Sequence, residues 1–300
     1  MHISPENSQN LQYRFDFLKL QKFWLICSLT VFVIGAAAYV MRGGFRYHID
    51  FTGGSEILIA MEKPTDISKI RDIINEKVWK DSVIQCVGST GKEFLIRMGD
   101  TERTTEQAIK DTFASAIPDN KMSINSIQRV GSTTGKDTTK NAVIAIFLAL
   151  LILLLYIAIR FEFRFGLGAL ASLIHDVSMM LTFLIITGEP VSLHILASVL
   201  AVMGYSLNDT IVIFSRMREN FKKNKGASEY DLANLSINQT LKRTILVSSS
   251  TFVAVSAIYV FGGETLRGLS KIMLLGIIVG TYSSIYIASP VALFFKKEEK

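Results

Sequence analysis

One aspartate lies inside a long apolar stretch of the sequence, where a carboxylate can carry out proton chemistry. Asp209 belongs to the motif GYSLNDTIVIFSRMREN (residues 204–220), near the end of an apolar run at residues 191–214. A charge at the centre of a bilayer costs about 2.5 to 3.5 kcal/mol, so such residues usually face a helix bundle or water and usually have a function. The alternative is a buried acid that only hydrogen-bonds to neighbouring helices.

The next apolar run supplies a basic partner for this carboxylate. In the segment LKRTILVSSSTF (residues 241–252), Arg243 is the cation closest to the hydrocarbon, and its long side chain can bend inward. Arginine stays charged at any physiological pH, whereas a carboxylate in a low dielectric can exchange its proton near neutral pH. Asp209 and Arg243 therefore predict a proton-driven switch, in which the aspartate either binds the arginine or carries a proton.

Other polar residues of the apolar runs are candidates for a proton relay. At 100° per residue, His194 and Tyr205 share a helical stripe with Asp209, and Asn208 lies at its edge. This stripe runs from one end of the helix towards the cations that follow Asp209. The spacing therefore predicts a polar path along one face of a membrane helix.

A second aspartate lies beside a histidine in the preceding apolar run. The segment SLIHDVSMM (residues 172–180) contains His175 and Asp176, either as relay groups or as satisfied buried polar groups. Asp176 and Asp209 could also form the shared-proton dyad of an intramembrane aspartyl protease. Their depths in the membrane differ by about 9 Å, which disfavours that enzyme.

These side chains require membrane helices to position them, and the composition supplies such helices. Hydrophobic residues make up 49% of the chain, and six apolar runs are long enough to cross a hydrocarbon core of about 30 Å. They predict transmembrane helices at residues 23–41, 142–159, 165–188, 191–214, 244–261 and 272–295. The first run is longer than the apolar core of a signal peptide, so we expect it to be retained.

Basic residues orient these helices. Lys and Arg are concentrated in the N-terminal tail (residues 1–22), the loop at residues 215–243 and the C-terminal tail (residues 296–300). By the positive-inside rule, both termini are cytoplasmic and residues 42–140 are external. The net charge of +6 reflects mostly this asymmetry, so nucleic acid is not an expected partner.

The external segment at residues 42–140 has the pattern of a small α+β domain. Its strand-like segments are residues 55–61, 82–88, 93–99 and 122–131, and its segments of helical periodicity are residues 66–80 and 104–117. The order βαββαβ predicts a ferredoxin-like fold, which hosts many functions and is expected to serve here in binding.

Two further local patterns bear on chemistry. Asp50, Gly53 and Gly54 interrupt the extended sequence HIDFTGG, which on local grounds predicts a turn or bulge. Cys27 and Cys86 lie in different segments, so we expect no disulfide between them and find no spacing of metal ligands. Protons are the coupling ion that the membrane carboxylates suggest, and no cofactor or metal is predicted.

Several long motifs occur in a fixed order along the chain. They are IDFTGG after the first span, HDV in the third, GYSLNDTIVIFSRMREN through the fourth, SINQTLKRT at the start of the fifth and GIIVGTYSSIYIASP in the last. In this order they resemble the SecF family, the smaller membrane subunits of the bacterial SecDF protein-export complex, which is related to the RND superfamily. The resemblance covers residues 15 to 295; Ser215 stands where many relatives carry an acid.

The resemblance implies a role in the Sec pathway of the bacterial inner membrane. Members of this family pair with SecD, join the SecYEG translocon and YajC, and use the proton-motive force to draw unfolded preproteins outward after SecA has acted. It further implies that Asp209 and Arg243 are the proton-coupling pair, and that Asp50, Gly53 and Gly54 form a hinge for a periplasmic domain. The chain would then be a translocation factor surrounded by membrane lipids, with no catalytic residues.

Two other functions remain open at this stage. An RND-like proton-coupled exporter would need two such halves, so this six-span unit would have to pair with another subunit or with itself. A structural translocon subunit without proton traffic would tolerate substitution of Asp209.

Overall fold

The computed structural model of the chain describes residues 13–77, 82–88, 90–99 and 106–295. Two compact units divide these residues. The helical unit comprises the described parts of Met1–Phe45, Ile146–Glu189 and His194–Lys300. The sheet unit comprises those of Arg46–Ala145 and Pro190–Leu193.

Apolar helices, most of them long, make up the described part of the helical unit. They are α1 (Gln21–Arg42), α5 (Ser132–Arg160, of which the first part belongs to the sheet unit), α6 (Phe163–Thr187), α7 (Leu193–Lys223), α8 (Glu229–Phe261), α9 (Gly263–Ser283) and α10 (Ser289–Phe294). A π-helical turn at Ser284–Ala288 joins α9 to α10. Among the described residues, six helical segments are long and apolar enough to cross a membrane.

Packing in the helical unit places α6 at its centre, against α1, α9 and α10. α9 also packs against α8, and it approaches α7 closely at the GIIVG segment. A methyl group added at Gly280 would lie only 2.8 Å from Ser206 Cβ. Glycine therefore lets these two helices cross with their backbones close together, as small residues commonly do in membranes.

The described part of the sheet unit contains four antiparallel strands, two helices of eleven residues each and one short helix before the first strand. The elements are the short α2 (Ile49–Thr52), β1 (Gly54–Met61), α3 (Ile67–Lys77), β2 (Val83–Val87), β3 (Glu93–Met98), α4 (Glu106–Ala116) and β4 (Met122–Val130). The strand order is β2-β3-β1-β4, and every neighbouring pair is antiparallel. Alternate residues of β1 and β3, including Ile57, Ile59, Phe94 and Ile96, form the core beneath α3 and α4.

The helices extend beyond the apolar runs that predicted them. α7 continues past residue 214 to Lys223, and α8 begins at Glu229, so only residues 224–228 of the predicted loop at 215–243 lie outside these helices. Ion pairs from Glu219 to Arg216 and Lys223 stabilise the polar end of α7. Hydropathy predicts where a chain stops being apolar, whereas these polar turns stay helical.

The same difference appears in α5 and at the last span. α5 begins at Ser132, ahead of the predicted span at residues 142–159, while its residues up to Ala145 still belong to the sheet unit. The last predicted span, at residues 272–295, is α9, the π-helical turn and α10 in succession, and α9 begins earlier, at Gly263. The predicted spans are therefore present as helices, but their ends lie elsewhere.

Candidate functional site

Asp209 is buried in the helical unit, and only 3% of its surface is exposed. The hydroxyl of Ser248, on α8, donates to Asp209 Oδ2 over 3.4 Å. Ser248 Oγ also lies 2.9 Å from Thr281 Oγ1 on α9, and Thr281 Oγ1 lies 2.7 Å from the carbonyl oxygen of Ile277. The carboxylate is thus the first member of a chain of polar groups that links α7, α8 and α9.

The directions of the hydrogen bonds in this series of polar groups depend on the charge of Asp209. Each hydroxyl carries a single proton. If Asp209 is protonated, it can donate to Ser248, Ser248 to Thr281, and Thr281 to the Ile277 carbonyl, so every contact contains one proton. If Asp209 is ionised, Ser248 must donate to it, and the contact between Ser248 and Thr281 keeps a proton only if Thr281 turns away from Ile277.

Arg243, the predicted partner of Asp209, lies in the first half of α8 with its side chain exposed. Its charge acts on Asp209 electrostatically, but within the described residues no ion pair joins the two. The carboxylate has Ser248 as its hydrogen-bond partner instead. This arrangement separates the predicted switch pair.

His175 and Asp176 form a second buried polar cluster. His175 Nδ1 lies 3.0 Å from Asp176 Oδ1, and Asp176 Oδ2 accepts a hydrogen bond from Ser206 of α7. On its other side, His175 Nε2 lies 2.8 Å from Ser28 Oγ of α1 and 3.1 Å from the hydroxyl of Tyr282 of α9. Because both ring nitrogens have partners, the cluster is well connected across four helices.

The two membrane aspartates have different hydroxyl partners. Asp176 is bonded to Ser206, whereas Asp209 is bonded to Ser248. They therefore belong to separate polar clusters and not to one shared-proton pair. This separation agrees with the difference in depth that disfavoured a protease dyad.

The remaining relay candidates differ in their surroundings. The hydroxyl oxygen of Tyr205 is buried and has no hydrogen-bond partner in the described part of the chain. Asn208 and His194 lie on exposed parts of α7. The structure brings neither of these two side chains into the hydrogen-bonded clusters described above, and their role as relays remains a prediction.

Asp50 belongs to a charged cluster in the sheet unit. Its Oδ2 lies 3.0 Å from His48 Nδ1, and His48 Nε2 lies 2.9 Å from Glu56 Oε2. Glu56 also accepts from Arg97 Nε, which faces it across the antiparallel strands β1 and β3. Positive and negative groups thus alternate along the series Asp50, His48, Glu56 and Arg97.

The surroundings of His48 and Glu56 shift both pKa values. Burial alone lowers the pKa of His48, but hydrogen bonds and charges from Asp50 and Glu56 outweigh it and raise that pKa to about 9. Burial raises the pKa of Glu56, yet hydrogen bonds from His48 and Arg97 bring it below its ordinary value. His48 is therefore an imidazolium ion at neutral pH.

The predicted hinge glycines lie where the backbone is crowded. Gly53 and Gly54 both have a positive φ, of 73° and 131°, which favours glycine. A methyl group at Gly53 would lie 2.9 Å from Ser132 Cα, and one at Gly54 would collide with the carbonyl oxygen of Met98. The motif therefore requires glycine for close backbone packing, and its role as a hinge stays a prediction.

Several residues of these clusters were not singled out as site residues from the sequence. Ser248 lies in the segment LKRTILVSSSTF, but the sequence did not predict its contact with Asp209. Arg97 faces Glu56 only because of the strand register. Hydroxyl residues at positions facing a membrane acid would have indicated Ser248 and Ser206. The pair of opposite charges across β1 and β3 would have required the register to be known.

Sequence comparison with known proteins assigns this chain to a family. Residues 108–298, more than half of the chain, match the model described as protein export membrane protein SecD/SecF, C-terminal. The chain is 39% identical to the protein translocase subunit SecF of Calditerrivibrio nitroreducens over 95% of each chain. It is 35% identical to that of Escherichia coli O157:H7, over 93% of this chain and 87% of that protein.

Solved structures agree with these sequence matches. The crystal structure of SecDF from Thermus thermophilus, a translocon-associated membrane protein, superimposes with a TM-score of 0.85 at 32% identity. A SecDF structure in the super-membrane-facing form gives a TM-score of 0.67 at 30% identity. In both comparisons 95% of this chain is covered, but it spans only 39% of the SecDF chain.

Proposed function

The chain belongs to the SecF family of protein translocase subunits, and on that premise we propose that it couples proton movement across the inner membrane to preprotein export. Family membership and six apolar helices make it a multi-pass protein of that membrane with a transport role. The observation that carries the proposal is the burial of Asp209 in the apolar helical unit, where its partner is the Ser248 hydroxyl. A carboxylate so placed can gain or lose a proton with a large electrostatic consequence.

The proton switches the contacts of three helices. When Asp209 is ionised, it attracts Arg243, and Ser248 donates to it. When Asp209 is protonated, Arg243 is released. Each contact in the hydrogen-bonded series from Asp209 through Ser248 to Thr281 then contains a proton.

The driving force is adequate for such a switch. One proton that moves through a membrane potential of 100 mV releases about 2.3 kcal/mol. This is comparable to the cost of about 2.5 to 3.5 kcal/mol for a charged aspartate at the membrane centre. Protonation and release can therefore exchange the two states, with the proton as coupling ion and without a cofactor.

His175 and Asp176 are proposed as part of the proton path, together with Tyr205, Asn208 and His194. Support comes from the buried cluster around His175 and from the hydroxyl of Tyr205, which is buried without a partner in the described residues. A proton carrier such as water beside Tyr205 would satisfy that hydroxyl. The histidine and the aspartate would then pass protons between hydroxyl groups of neighbouring helices.

SecD is the proposed partner in the membrane. Asn208 lies on an exposed face of α7 together with Ala201 and Gly204. An amide that faces lipid is unfavourable, whereas small residues beside it allow another helix to approach closely. A homologous six-span subunit would cover this face, and the pair would act with SecYEG, YajC and SecA on unfolded preproteins.

The sheet unit is proposed to be a ferredoxin-like periplasmic domain. The element order βαββαβ and the sheet order β2-β3-β1-β4 support that assignment. The basic residues of the tails and of the α7–α8 connection support cytoplasmic termini. Asp50, Gly53 and Gly54 would then be at the periplasmic side of the first span, where a hinge would act.

Depletion and complementation in cells test the export function. When the chain is depleted, unprocessed preproteins should accumulate, and wild-type protein should restore export. Asp209→Asn at equal abundance should fail to restore it. Full restoration by Asp209→Asn would support a structural subunit without proton traffic.

Co-purification tests the partner and separates export from small-molecule efflux. A homologous six-span protein and translocon subunits should co-purify with the wild-type chain. Asn208→Leu should reduce recovery of the six-span partner more than Ile245→Leu, a change on the exposed face of α8. Recovery of the six-span partner without any translocon subunit would favour an exporter half.

A further inference from the structure

The segment before β1 is bound along its backbone to the residues that precede α7. Val191 N donates to the carbonyl oxygen of Arg46 over 2.8 Å, and His48 N donates to that of Val191 over 2.9 Å. Tyr47 and Val191 form a parallel bridge between these bonds. Residues 46–48 and 190–193 therefore form a short ladder within the sheet unit.

Asp50 extends this ladder to the first residue of α7. Its Oδ2 accepts a hydrogen bond from Leu193 N over 3.0 Å. The first amides of a helix have no partner within the helix, and a negative charge near them is favourable. Asp50 therefore satisfies a backbone group at the start of the helix that carries Asp209.

The position of Asp50 depends on the charges beside it. His48 contacts Asp50 through Nδ1 and Glu56 through Nε2, while Arg97 contacts Glu56. The side chains of all four residues are between 11% and 18% exposed, so solvent screens these contacts only in part. Glu56 and Arg97 are directly opposite each other on the central strands β1 and β3, so the series is anchored in the middle of the sheet.

We infer that Asp50 is a positioning residue, held by His48, Glu56 and Arg97, that fixes the first residue of α7 to strands β1 and β3. This is a role beyond the predicted hinge, because the contact lies in the backbone ladder and at a helix start and not in the glycine pair. Its consequence for export rests on the proposed role of Asp209, whereas the contact itself does not. Loss of Asp50 or of Glu56 should free the start of α7.

Hydrogen exchange of the full-length chain in nanodiscs tests this inference. In Asp50→Ala, amide exchange of residues 191–196 should become at least about tenfold faster, because a charge-assisted hydrogen bond is lost. Glu56→Gln, which acts through His48, should accelerate the same amides by a smaller factor. Asp72→Asn, on an exposed position of α3, should leave them unchanged.

The outcomes separate this inference from the proton switch. Unchanged exchange of residues 191–196 in Asp50→Ala would overturn the inference, and if that variant does not fold, unchanged exchange in Glu56→Gln would do so. Accelerated exchange with normal gradient-driven export would overturn the positioning role in transport. Asp209→Asn should leave exchange of these residues as in wild type; if it also leaves export normal, only the proton switch fails.

Discussion

Ser248 joins Asp209 to a second helix: its hydroxyl lies 3.4 Å from the carboxylate and 2.9 Å from Thr281 Oγ1. One hydroxyl group therefore connects the proposed proton acceptor on α7 with both α8 and α9. The direction of its proton depends on whether Asp209 is charged. This relationship gives the first prediction.

Ser248→Ala should weaken the response of export to the proton gradient by about fivefold, equivalent to a hydrogen bond of about 1 kcal/mol. Alanine removes the hydroxyl whose hydrogen bonds connect Asp209 with Thr281, so the charge of Asp209 can no longer change the contacts of Thr281. Ser248→Thr restores a hydroxyl and should recover most of the response. Ser250→Ala is the matched control, because that serine is exposed and bonded only to the Val247 carbonyl in the described residues. Equal responses of the Ser248 and Ser250 alanine variants would contradict the account.

Asp176→Ala should lower the stability of the helical unit by about 1 to 3 kcal/mol, because His175 and Ser206 lose a buried partner. Asp176→Asn keeps an acceptor for Ser206 and should have a smaller effect. Thermal unfolding in detergent measures both changes. If Asp176 also relays protons, Asp176→Asn should reduce gradient-driven export; normal export with reduced stability would leave it a structural group.

Gly54→Ala should destabilise the sheet unit more than Gly88→Ala. Both glycines have a positive φ, and alanine in a left-handed conformation costs about 1 to 2 kcal/mol. Only Gly54 also faces a backbone atom, the Met98 carbonyl oxygen, whereas a methyl group at Gly88 would meet open space. Protease resistance of the sheet unit during heating measures the difference. Equal losses for both variants would show that the close packing of Gly54 is unimportant.

His48 should make the stability of the sheet unit depend on pH. Its pKa of about 9 in the folded protein exceeds the ordinary value near 6.5. The imidazolium therefore contributes its full stabilisation below pH 6.5, and this contribution is lost as the pH rises through 9. The charged groups that contact it are Asp50 and Glu56, and Glu56 is bound in turn by Arg97.

Comparison with His48→Gln isolates this dependence from other titrations. The wild-type chain should be more stable than the variant at pH 6, and the difference should shrink towards pH 10. Thermal unfolding at a series of pH values measures it. A constant difference across this range would show that His48 does not titrate in the folded protein.

The sequence predicted the elements that depend on local patterns. Six apolar runs predicted six membrane helices, because crossing a bilayer requires such runs. Alternation of apolar residues predicted the strands, as in Ile57 and Ile59 of β1, which both lie in the core. Because a charge in an apolar medium is costly, the sequence identified Asp209 and Asp176 as candidate site residues. Both side chains are buried in the structure.

Contacts between distant residues could not be predicted in the same way. Asp50 and Leu193 are far apart in the chain, and their hydrogen bond exists only because a backbone ladder brings them together. Arg97 faces Glu56 because of the strand register, which alternation alone does not define. Ion pairs stabilise the polar turns of α7 up to Lys223. Hydropathy does not measure such pairs, so it could not predict that the helix continues there.

The most direct test of the central claim is gradient-dependent translocation of a preprotein into inverted membrane vesicles. Wild type, Asp209→Asn and Arg243→Met would be compared at matched abundance, with ATP-driven translocation as the internal control. The proton switch predicts that both variants lose the gradient-stimulated component and keep the ATP-driven component. Undiminished stimulation in both variants would contradict the proposal that a proton on Asp209 drives export.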